Sequence, residues 1–102
     1  MLDHALFQSV AEQLLTGSQI EVEGRVARVT RTGSLRLRSA RFLAHGREYQ
    51  AIEQNPDKPS HWGKLARAGH KVVQFRELSS QKYVAVSVDG QIREYLNDRR
   101  SG

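Results

Sequence analysis

Residues 18–44 read SQIEVEGRVARVTRTGSLRLRSARFLA, and the alternation inside this stretch sets the fold class. Ile20, Val22 and Val26 alternate with Glu21, Glu23 and Arg25, the period of two that marks a half-buried strand. Ser18 and Glu21 match a helix capping box, but the alternating β-branched residues that follow argue for a strand. Gly24 interrupts the pattern and predicts a bend or bulge within one long strand. Thr32-Gly33 predicts a two-residue turn. In the return strand Leu35 and Leu37 share one parity and Ala40, Phe42 and Ala44 the other, so a bulge is expected near Ser39. Residues 20–30 and 34–44 are thus expected to form one antiparallel hairpin.

Residues 1–17 predict an N-terminal helix. Asp3 serves as N-cap, Leu6, Phe7, Val10, Leu14 and Leu15 recur at helical spacing, and Gly17 occupies the place of a left-handed C′ residue. Downstream of the hairpin, His45-Gly46 reads as a turn, REYQAIEQ as a weaker strand and NPDKPS as a two-proline loop. A short helix is expected over 60–69, capped by Ser60 and ended by Gly69. Residues 71–78 and 82–89 predict a second hairpin, and Asp89-Gly90 a type I′ turn into QIREYL. Parity places Val84, Val86 and Val88 on one face and Tyr83, Ala85 and Ser87 on the other, with Trp62, Leu65 and the valines buried together. Residues 97–102 read as a frayed tail.

The chain is therefore expected to be mainly β, a small α+β domain spanning 1–102. Residues 18–96 would form a five- to six-stranded antiparallel barrel or curled sheet, with one short helix between strands 3 and 4. Three strands, a helix and two strands is an order that resembles the oligonucleotide/oligosaccharide-binding barrel. That resemblance implies a binding surface on strands two and three and the loops after strands one and four. A Src-homology-like barrel, or an open curled sheet packed on the first helix, gives the same pattern.

Length and composition bound the function. At 102 residues and 11.6 kDa there is room for one domain, and 38% hydrophobic residues suffice for one modest core. The absence of cysteine excludes disulfides, thiolate metal sites and cysteine nucleophiles. No apolar run approaches the roughly 20 residues of a membrane helix. MLDHALFQSVAEQLL lacks a basic start and a small-residue cleavage site, so a cytoplasmic protein is expected. Phosphate-binding glycine loops and a nucleophile elbow are both missing. His61 and His70 stand too far apart for a helical metal pair. No enzymatic activity, metal or cofactor is expected.

Charge carries the positive signal. The net charge is +5, yet residues 1–23 hold four acids and no base, while residues 24–47 hold seven arginines and no acid. Arginine's planar fork of donors suits phosphate and carboxylate bidentately. Across a two-residue turn at Thr32-Gly33, Arg25, Arg31, Arg36 and Arg38 would share one face, with Arg28 and Arg41 on the opposite face or in the bulge. Tyr83 is the best candidate for stacking on a base. The segment reads either as a binding strip or as a solvated strand face that blocks edge pairing. The expected function is a non-catalytic module that applies this arginine hairpin to nucleic acid, RNA or single strands. The alternative is a small accessory or assembly protein that docks an acidic protein surface.

Overall fold

The alternating stretch folds as three strands where one was expected. In the computed structural model, which describes residues 2–95, β1 (Gln19–Val22) and β2 (Arg25–Arg28) pair as a two-stranded ribbon, and β3 (Thr30–Thr32) begins the main sheet. The break is at Glu23-Gly24. Both residues have positive φ, 51° and 79°, so the pair forms a tight turn rather than a bend, and Val22 comes opposite Arg25. Positive φ at both central residues is the I′ geometry that matches strand twist. The same device closes His45-Gly46 and Asp89-Gly90.

The second turn also differs from expectation. Thr32 pairs with Leu37, so residues 33–36 form the connection, with Arg36 at φ 55° and its N–H donating to the Gly33 carbonyl at 3.1 Å. β3 therefore meets β4 (Leu37–Ala44) only through Thr30–Ser39, Arg31–Arg38 and Thr32–Leu37. The hairpin expected between residues 20–30 and 34–44 is reduced to this short pairing.

From β4 the chain runs as an antiparallel meander. β5 (Arg47–Glu53), β6 (Val72–Glu77), β7 (Lys82–Val88) and β8 (Gln91–Glu94) follow in spatial order, and β3 and β8 are the two edges of a six-stranded sheet. No barrel closes among the described residues, and the barrel's strand order is not reproduced. The short helix α2 (His61–Arg67) follows the fifth strand rather than the third. The expected pairing of residues 71–78 with 82–89 is present as β6 and β7. The expected tail, 97–102, lies outside the described residues. Among those described, no helix is long and apolar enough to cross a membrane.

Helix α1 (His4–Thr16) covers one face of the sheet. Asp3 caps it, its Oδ1 accepting from the Leu6 N–H at 3.1 Å. Gly17 is extended at φ −131°, not left-handed, and its N–H closes the helix on the Gln13 carbonyl at 2.9 Å. Phe7, Val10, Ala11 and Leu14 are buried against Phe42, Tyr49, Ala51, Val73 and Phe75. Burial contributes roughly 1.5–3 kcal/mol for each large apolar side chain. The Gln13 amide fastens the ribbon to the helix: its Oε1 accepts from the Glu21 N–H at 2.8 Å and its Nε2 donates to the Glu21 carbonyl at 3.2 Å.

The expected burial of Trp62 with Leu65, Val84, Val86 and Val88 is corrected. Of these only Val86 is buried; the others are half-buried. A register shift between Phe75 and Arg76 separates Val84 from Val86 and Val88, because Phe75 pairs with Ala85 while Arg76 pairs with Tyr83. Val84 is the extra residue of this bulge, and it packs against the core with α1. Val86 lies opposite Gln74 on the other face.

A histidine clasp joins three elements. His45 Nε2 lies 3.0 Å from Asp3 Oδ2, His45 Nδ1 lies 3.5 Å from Glu23 Oε2, and the His45 N–H donates to Glu23 Oε1 at 3.1 Å. The hydrogen bond to Asp3, then the charge of Glu23, hold the His45 pKa above its ordinary 6.5. The same hydrogen bond and the Leu6 N–H hold Asp3 below 3.8. The His45 contribution is complete below pH 6.5 and is lost as pH rises through its folded pKa. The Asp3 contribution is present above 3.8 and is lost as pH falls through its folded pKa. His45→Asn keeps a residue that tolerates positive φ. It is expected to flatten the alkaline limb of the thermal midpoint measured against pH, relative to the unsubstituted chain; superimposable curves would show that the clasp does not contribute.

Candidate nucleic-acid interface

The face of the sheet opposite α1 is covered only in part. α2 packs against β6, and Ser60 starts it by accepting from the Gly63 N–H at 3.1 Å. Gly63 is required there because a Cβ would meet the Lys58 carbonyl oxygen at 2.1 Å. Arg67 ties the preceding loop back to the helix, donating to the carbonyls of Pro56 at 2.6 Å and Lys58 at 2.9 Å. Beyond α2, Arg41 and Tyr83 are exposed on that face, Gln50, Ile52, Gln74 and Arg76 are half-buried, and Ser39 is buried.

The strand register lines up one row across that face: Arg41 opposite Gln50, Gln50 opposite Arg76, and Arg76 opposite Tyr83. A second row runs from Thr30 through Ser39, Ile52, Gln74 and Val86 to Arg93. The polar groups are held in place by one another. Arg76 Nη2 donates to Gln50 Oε1 at 2.9 Å, and Gln50 Nε2 donates to Ser39 Oγ at 3.3 Å. Tyr83 is 41% exposed, and the bulge is what turns it to this face, away from Ala85.

Aromatic rings continue the row towards α2. Tyr83 and Tyr95 lie 6.5 Å apart between centroids, and Tyr95 and Trp62 lie 6.4 Å apart, both edge to face. Gln74 Nε2 donates to the Tyr95 hydroxyl at 3.2 Å. Burial, above all, raises the Tyr95 pKa, so the phenol is neutral at physiological pH. A depression of about 570 Å³ opens here, lined by Trp62, Tyr83, Gln74, Ile52 and Leu37 and rimmed by Lys58.

A second depression, of about 430 Å³, shares Leu37, Glu53 and Gln54 with the first. Its walls carry Arg31, Arg36, Arg38, His70 and Lys71. Gln54 is buried in the shared wall. Its Nε2 donates to the Asn55 carbonyl at 3.0 Å, and its Oε1 has no partner among the described residues.

The arginines expected on one face are therefore dispersed. Arg31, Arg36 and Arg38 come together, but Arg25 does not join them, because the Glu23-Gly24 turn carries it into the ribbon. There it lines a small depression of about 180 Å³ with Arg41 and Glu48. Arg28 is exposed at the far end of β2, opposite Gln19. Tyr83 lies in the aromatic depression, apart from Arg25, Arg28 and the group of Arg31, Arg36 and Arg38. Sequence reading missed Gln50, Arg76, Gln74 and Trp62 as site residues. The alternation Val73-Gln74-Phe75-Arg76 carried the signal: with Val73 and Phe75 in the core, Gln74 and Arg76 must face away. Tyr49 is buried beside Phe42, with centroids 5.5 Å apart. Among the described residues, no three His, Asp or Glu side chains converge as a metal site. No family model, no curated protein and no solved structure matches the chain.

Proposed function

We propose that the open sheet face binds single-stranded nucleic acid, and that the protein is a non-catalytic module. The row of Arg41, Gln50, Arg76 and Tyr83, leading into the Trp62 depression, is the observation that carries this reading. Guanidinium groups supply phosphate contacts, amides supply hydrogen bonds to base edges, and exposed rings supply stacking, the combination single strands require. Four strands at about 4.8 Å spacing give a row of roughly 14 Å, about the span of five stacked nucleotides. Six strands give a face roughly 24 Å wide, too broad for a major groove about 12 Å across. The geometry thus favours a strand, RNA or DNA, over a duplex.

Fluorescence anisotropy with a labelled 12-nucleotide strand, as RNA, as DNA and as a duplex, tests this reading. The single strands are expected to bind at least tenfold more tightly than the duplex. Affinity should fall with salt at a log–log slope of about −1.4 for two phosphate contacts. Equal affinity for duplex and strand, or no binding at low salt, would overturn it. A second reading has one observation in its favour. Leu35, 46% exposed, stands beside Arg36 at the tip of the β3–β4 connection, an apolar and basic pair that suits an acidic protein surface. An accessory protein would dock there through a site separate from the sheet face.

A further inference from the structure

The second depression assembles positive charge against local preference. Arg31 and Arg38 are direct cross-strand partners, a placement in which like charges repel. Arg36 holds a left-handed φ of 55°, a conformation that glycine or asparagine adopts more readily. The Arg31 guanidinium donates to the Arg36 carbonyl at 3.4 Å, which brings the two residues together. Lys71 lines the same depression. The carboxylate in the lining, Glu53, lies 3.8 Å from Arg38 and accepts from the Arg38 N–H at 3.0 Å, so it leaves Arg31 and Arg36 uncompensated, while Lys71 has Asp89 beside it, which accepts from the Lys71 N–H at 2.9 Å. Three arginines and a lysine gathered round one concavity, the three arginines in unfavourable settings, mark a place built for an anion.

The chemistry of the array identifies the anion. A phosphodiester passing through presents one charge and two free oxygens. A phosphomonoester presents three acceptor oxygens and a charge of about −1.5 to −2 at neutral pH. Donors that converge from β3, from the connection at 33–36, from β4 and from Lys71 before β6 match the monoester, which can be gripped from several sides at once. We propose that this depression is a phosphomonoester subsite and that it takes the terminal phosphate of the strand lying on the sheet face. The choice of a strand as the source rests on the function proposed above. The walls that the two depressions share, Leu37, Glu53 and Gln54, put the subsite next to the aromatic end of that face.

The test compares one 12-nucleotide strand with a 5′-phosphate, with a 3′-phosphate and with neither, alongside uridine monophosphate as the free ligand. One phosphorylated end is expected to tighten binding at least tenfold. Arg31→Gln combined with Lys71→Gln should reduce that gain to threefold or less and leave the affinity of the unphosphorylated strand as it was. Both positions are exposed, and thermal unfolding of the double variant checks that it is folded. Identical affinities for all three strands overturn this proposal while leaving the sheet-face reading intact, and so does a phosphate gain that survives in the double variant. Uridine monophosphate bound as tightly as the phosphorylated strand, with its binding lost in the double variant, supports the subsite and overturns the sheet-face reading.

Discussion

Phe7→Ala is expected to destabilise the domain by about 3–5 kcal/mol, the range for removing a buried phenyl ring without collapse of the space it leaves. Phe7 is 1% exposed and is the one ring that touches each of the three core aromatics of the sheet. Its centroid lies 5.5 Å from Phe42, 5.1 Å from Tyr49 and 4.8 Å from Phe75. These rings come from β4, β5 and β6, so a cavity there loosens three strands and the helix together. A domain of this size is stable by roughly 5–15 kcal/mol, so the loss is about a fifth of the total or more. Urea denaturation should show the midpoint displaced with the slope unchanged, since the same surface is exposed on unfolding. Phe7→Leu, which keeps most of the volume, should be displaced much less. A midpoint in Phe7→Ala close to that of the unsubstituted chain would mean that α1 does not pack on the sheet through this residue.

What the sequence made legible was local. The cap at Asp3, the cap at Ser60 and the I′ turn at Asp89-Gly90 each depend on two or three neighbouring residues, and each is present. Apart from the bulge in β7, the strands from residue 37 onwards follow their alternation because one face is buried beneath α1. The errors have a common cause in geometry that neighbouring residues do not specify. A lone glycine in an alternating run fits a bulge and a tight turn equally well, and Glu23-Gly24 took the turn. That choice moved Arg25 into the ribbon and dissolved the four-arginine face. Parity counting fails wherever a strand carries an extra residue, and Val84 is such a residue. The bulge gave Tyr83 to the open face and Val84 to the core, against the alternation of β7. Closure of a barrel depends on whether two distant edges meet, which periodicity does not encode. Among the described residues the sheet stays open.

Charge reversal separates the two places where arginines cluster. With an unphosphorylated strand, Arg41→Glu combined with Arg76→Glu is expected to weaken binding by a factor of about 100 or more. Each hydrogen bond between a charged group and a phosphate contributes roughly 1.5–3 kcal/mol, and the introduced carboxylates add repulsion. Arg31→Glu combined with Arg38→Glu removes as much positive charge from the chain but lies off the sheet face, so only the long-range attraction is lost, which salt screens within about 10 Å at 0.1 M. The contrast between the two double variants at 0.1 M salt therefore reports position rather than net charge. Tyr83→Leu adds a salt-independent loss of about 1–3 kcal/mol if a base stacks on the ring. Arg41 is exposed, whereas Arg76 is half-buried and hydrogen-bonded to Gln50, so Arg76→Gln serves as the milder control for folding. Equal losses from the two double variants would return the binding surface to a diffuse basic field. A larger loss from Arg31 and Arg38 would place it on the β3–β4 hairpin, where the strand would contact few of the groups that the meander arranges in a row.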